Sequence, residues 1–100
     1  MASVTIPPVR TFAHVEADKA QALKVLEEAA EVFGAWQIWD GIRELSSTVG
    51  DWERGYMLNE CADVIQATLN LVAALGVEDF RPWMDECERR NEERGRYGDR

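Results

Sequence analysis

The chain has 100 residues, 46% of them hydrophobic, with 19 acidic against 11 basic side chains and a formal charge of −8. That is room for one small domain with a folded core, and the acidic balance excludes a protein that coats DNA or RNA through a basic face. No apolar run approaches the roughly 18 residues of a membrane span. Cys61 and Cys87 form no Cys-x-x-Cys pair and follow no secretory leader, so a reducing, cytoplasmic setting is expected.

Met1 to His14 contain Ile6-Pro7-Pro8 and no helical periodicity, which reads as an extended arm (1–14) ahead of a helical domain (15–100). From about Val15 to Trp39 there is no Pro, and Ala, Leu, Glu, Lys and Gln dominate, all good helix formers. At about 100° per residue, Leu23, Leu26, Ala30, Phe33 and Trp36 share one side and Lys24, Glu27, Glu28 and Glu31 the other, the pattern of an amphipathic helix. A glycine-rich connector, Asp40 to Gly55, follows. Ile42, Leu45, Val49 and Trp52 suggest a short helix within it. A second long helix is expected from about Tyr56 to Leu75, with Leu58, Cys61, Ala62, Ile65, Leu69 and Val72 on its apolar side and Gly76 as its C-terminal cap. A third should start near Asp79, tolerate Pro82 in its first turn and run to about Glu93. The tail from Arg94 to Gly98 is basic and loop-like. With no alternation of period two, the class is all-α.

Two acidic motifs stand on the first two helices. Glu27, Glu28 and Glu31 are three and four residues apart, which gathers their carboxylates on one patch, and Glu60 and Asp63 repeat the three-residue spacing. Like charges so placed repel, and a divalent cation turns that repulsion into attraction. Hard Mg²⁺ or Mn²⁺ wants oxygen ligands, which two facing helices can supply. Taken alone, Lys24 with Glu27, Glu28 and Glu31 also matches an ordinary solvated helix face. Glu60 and Asp63 are less ordinary, because Val64, Ile65, Ala67 and Leu69 surround them. Glu16, Glu44 and Glu86 lie outside the motifs and are expected to be solvated.

Glu27-Glu28-x-x-Glu31 followed by Glu60-x-x-Asp63 resembles the EExxE…ExxD signature of the MazG-like all-α nucleoside triphosphate pyrophosphohydrolases. Lys24 to Val32 is similar to their first catalytic helix, Asn70 stands where members often carry Asn, and Asn91 to Tyr97 is similar to their closing Asn-x-x-Arg/Lys element. The likeness extends over about Lys19 to Gly98. Two departures accompany it: 28 residues separate Glu31 from Glu60, which is long for the family, and Glu93 stands where many members place Lys.

The resemblance implies a MazG-like bundle whose four-helix core is completed by a homodimer or homotetramer. It implies Mg²⁺-dependent hydrolysis of a nucleoside triphosphate to the monophosphate and pyrophosphate, with Mn²⁺ as a substitute ion. A dUTPase-like or phosphoribosyl-ATP pyrophosphohydrolase activity of the same superfamily is the enzymatic alternative, and a non-enzymatic acidic helical adaptor the other. In this reading Glu28, Glu31, Glu60 and Asp63 ligate the metal, and Glu27 is a further ligand or a base that positions water. Arg94 and Arg96 meet the outer phosphates and Asn91 a phosphate or sugar oxygen. Asn70 belongs to the same substrate-binding set. Lys24 reaches a phosphate or simply pairs with Glu28. Trp36 and Trp39 stack on the base or belong to the core. His14 has no partner in spacing and reads as a surface residue, and Cys61 as a small packed hydrophobe.

Overall fold

The computed structural model describes residues 2–45 and 50–98, which form three helices and no strand: α1 (Lys19–Ile42), α2 (Gly50–Ala74) and α3 (Arg81–Glu93). None of them is long and apolar enough to cross a membrane. Met1, Val49, Arg100 and the connector residues Ser46 and Ser47 lie outside the described residues.

Local chemistry sets most helix ends. Asp18 is extended, and its Oδ1 accepts the Gln21 N–H at 2.9 Å, so α1 starts at Lys19 and not at Val15. The non-helical arm therefore reaches residue 18. The connector is shorter than its glycines suggested. Helix α1 continues through Gly41 to Ile42, and α2 begins at Gly50, which takes Trp52 into a long helix. Gly50 is buried where the chain reverses, and a Cβ there would sit 3.5 Å from the Arg43 Cα and 3.7 Å from the Trp39 indole nitrogen. Gly76 closes α2 at φ +84° while the Val77 N–H reaches the Val72 carbonyl at 3.3 Å. Pro82 sits in the first turn of α3, where its missing N–H costs nothing.

Helices α1 and α2 form an antiparallel hairpin. Its seam follows a four–three spacing on both helices, from Gln21 and Val25 through Glu28 and Val32 to Ala35 and Trp39, against Glu53, Met57, Glu60, Val64, Ala67 and Leu71. Ala35 and Ala67 are the buried apolar side chains of this seam, and Glu28, Glu60 and Asn70 are buried beside them. The seam is not the stripe that periodicity marked as core. Leu26 is 65% exposed and Phe33 59%, because α1 carries apolar residues on two sides and packs the one with Val25, Val32 and Ala35 against α2. On α2, Leu58 and Ile65 are likewise exposed, while Leu69 and Val72 lie half-buried beneath the arm.

The arm runs across α2 and is tied to it. The Phe12 N–H donates to Asn70 Oδ1 at 3.0 Å, and Gln66 Nε2 donates to the Arg10 carbonyl at 2.9 Å. Helix α3 packs on neither α1 nor α2. The radius of gyration, 16.4 Å, accordingly exceeds the roughly 13 Å of a compact 100-residue domain.

Candidate metal centre

Glu28 and Glu60 occupy facing seam positions halfway along the hairpin, and each is more than nine-tenths buried. Asp63, one turn beyond Glu60, stands at the exposed edge of the same side. One carboxylate oxygen from each of the three lies within 4.8 Å of the others. Lys24, one turn before Glu28, places its Nζ 3.1 Å from Glu28 Oε1, and this contact raises its own pKa. Glu60 Oε2 is shut away from solvent with no hydrogen-bond partner among the described residues.

Two further groups crowd Glu60. Contact with the Glu60 carboxylate, and then the charge of Glu28, pushes the Glu31 carboxyl pKa up. The charge of Glu60, and then a hydrogen bond to it, does the same to the Tyr56 phenol. Glu28, Glu60 and Asp63 thus converge from two helices, with Glu31 beside them. Tyr56, four residues before Glu60, joins them, a residue that motif spacing does not single out. Trp52, one turn earlier, stacks on it with ring centroids 5.6 Å apart and planes 3° from parallel.

A buried carboxylate oxygen without a donor is costly, and so is the gathering of like charges around it. A divalent cation relieves both. The donor set is all oxygen, which suits Mg²⁺ or Mn²⁺ over softer metals. Glu28, Glu60 and Asp63 fit such an ion as direct ligands, with Glu31 beside them.

The remaining candidates are distributed differently. Glu27 is exposed and reaches the centre only through its field on Lys24. Trp36 faces outward and stacks on Phe33 at 5.9 Å, and Trp39 lies in the seam beneath the Arg43 guanidinium, 4.5 Å from its ring centroid. Asn91 accepts from the Arg96 guanidinium at 3.5 Å, and Arg94 caps α3 through its backbone. All three stand on α3 or just past it, and since α3 leaves the hairpin, the fold does not bring them to the acids.

Beside the acids opens a cavity of about 640 Å³, walled by the arm on one side and by α1 and α2 on the other. Asn70 lies in its wall, as do Lys24, Glu28 and Asp63. So do Glu16 and His14, both exposed, as expected from the sequence. A scan of family models, of characterised proteins and of solved structures returns no match for this chain.

Proposed function

We propose that the protein is a Mg²⁺-dependent nucleoside triphosphate pyrophosphohydrolase of the MazG-like kind, acting in the cytoplasm. The observation that carries this reading is the convergence of Glu28, Glu60 and Asp63 around a buried Glu60 oxygen that has no partner. Glu28, Glu31, Glu60 and Asp63 would hold the ion. Bound there, it would supply charge neutralisation for the phosphates and acidify a water. The protein's own carboxylates would fix its place, and the exposed Asp63 would leave an open edge for the phosphate chain. Glu27 would be a further ligand or a base that positions the water.

Assembly as a homodimer or homotetramer belongs to the same proposal. Leu26, Phe33 and Ile38 are exposed on α1, and burial of such faces by a second copy would complete a four-helix core. Asn91, Arg94 and Arg96 would reach a triphosphate once such an assembly lays α3 against the acidic side.

The test is a panel of ribo- and deoxyribonucleoside triphosphates incubated with Mg²⁺, with pyrophosphate and orthophosphate measured separately. Pyrophosphate release that EDTA abolishes is expected. Glu28→Ala, Glu31→Ala, Glu60→Ala and Asp63→Ala should each lower turnover by orders of magnitude, whereas Glu44→Ala and Glu86→Ala should behave like the parent. Orthophosphate as the sole product, or activity that survives EDTA, refutes the proposal and leaves the acidic helical adaptor.

A further inference from the structure

The geometry points to the cavity beneath the N-terminal arm as a nucleoside subsite, with Phe12 as the stacking ring and Asn70 as the donor to the base. This rests on the pyrophosphohydrolase reading and deepens it. At about 640 Å³ the cavity has the size of a small-ligand pocket. Glu28 and Asp63, two of the three converging acids, form one wall, and Phe12 and His14 of the arm form another. A ligand anchored by phosphate at the acids therefore has its other end within reach of the arm.

Charge decides which end enters. Away from the acids that would hold the ion, Glu16 and Asp18 line the arm side of the cavity, and Lys24, the one lysine of the lining, is already paired with Glu28. A polyphosphate is repelled from such a space, and an uncharged ring system is not.

Hydrogen bonding then fixes a donor. The Arg10 carbonyl orients the Gln66 amide with its nitrogen toward the arm, and that nitrogen also donates to Asn70 Oδ1 at 3.0 Å. Asn70 Oδ1 accepts the Phe12 N–H as well. Both bonds require oxygen at that position, so the Asn70 Nδ2 group points the other way. No hydrogen bond from Asn70 Nδ2 to the protein is seen among the described residues, and unlike Glu60 Oε2 that nitrogen is not shut away from solvent, so it is open to the cavity that Asn70 lines. Purine and pyrimidine rings carry the carbonyl and ring-nitrogen acceptors this amide lacks. Phe12 completes the site: it is 63% exposed, so the fold itself does not bury its ring, while its backbone is held in place by Asn70.

The experiment uses the ¹⁵N-labelled full chain with Mg²⁺ and four probes, AMP, CMP, GMP and UMP, with pyrophosphate release from the triphosphates followed in parallel. At least one monophosphate should shift the Asn70 side-chain amide together with the Phe12 and His14 backbone amides. Phe12→Ala should weaken that binding by about tenfold, as expected for the loss of one base–aromatic stack, and Phe12→Tyr should restore it. Shifts confined to other residues, no shift from any of the four, or parent-like binding by Phe12→Ala would overturn the subsite. If pyrophosphate is released and Phe12→Ala keeps the parent KM, the subsite alone is refuted. If Mn²⁺ fails to broaden the Glu28, Glu60 and Asp63 signals and no pyrophosphate forms, the enzyme reading falls and the subsite with it.

Discussion

Replacing Glu60 by Gln removes one negative charge from the hairpin seam and changes its shape hardly at all. In the metal-free protein the loss should stabilise. Carboxylate oxygens of Glu60 and Glu28 lie within 4.8 Å, a separation at which two unit charges repel by about 3.5 kcal/mol at an effective dielectric near 20 and by about 0.9 kcal/mol in water. Lys24, 3.1 Å from Glu28, offsets part of this, so a gain of about 1–2 kcal/mol is expected. For a domain of this size that raises the melting temperature by at least ~4 °C. With Mg²⁺ present the order should reverse. An ion at a hundred times its Kd stabilises the parent by about 2.7 kcal/mol, and an amide is too poor a ligand for the variant to match that. Circular dichroism melts of both proteins, in EDTA and in saturating Mg²⁺, read the crossing directly. The reasoning is refuted if Glu60→Gln melts below the parent in EDTA, or if the two proteins gain equally from Mg²⁺.

Light scattering should return at least twice the 11.4 kDa chain mass at micromolar concentration, and Leu26→Asp with Phe33→Asp should shift it to one chain without loss of helicity; a parent that scatters as a single chain refutes this. The Asp79 carboxyl should titrate at about 2, because the Arg81 side chain and backbone N–H both bind it, and Arg81→Ala should return the midpoint toward 3.8. A carboxyl lowered on folding adds stability that is complete above its unfolded pKa, so this contribution fades as pH falls from about 4 toward 2, and a parent midpoint near 3.8 by NMR contradicts the pairing. Asn70→Ala deletes the acceptor of the Phe12 N–H, so the Phe12 amide should exchange faster while Val32 and Val64 in the seam keep their protection; unchanged exchange at Phe12 counts against the arm's attachment.

What could be read in advance was what short-range chemistry controls. The helical class, the glycine cap at Gly76, Pro82 in a first turn and the placement of two acid pairs on separate helices all follow from spacing and propensity. The start of α1 was legible too, since Asp18 stands three residues before Gln21 at cap spacing, although the Pro-free, helix-forming composition from Val15 onward suggested an earlier start. Which side of α1 is buried was not. Leu26 and Phe33 compete with Val32 and Ala35, and only the partner helix decides between them. Gly50 and Gly55 act as breakers in a local reading, yet tertiary packing overrides them and the helix runs through. Tyr56 was passed over because a phenol at a helix start carries no sign of the carboxylate four residues on. The cavity wall was hidden for a different reason: Phe12 meets Asn70 across 58 residues, and no local pattern encodes that contact.

That long span dictates the order in which the molecule assembles. The two bonds of the arm bridge 58 and 56 residues, whereas α1 and α2 are neighbours joined by a short connection. In an unfolded chain the arm would have to close the full loop. Once the hairpin exists, only about six residues separate Phe12 from the first turn of α1, and the closure entropy falls by about 2 kcal/mol. The hairpin is therefore the template and the arm the last piece to dock. It is by the same count the first to leave, so a protease should trim the chain before Asp18 while the two long helices are still intact.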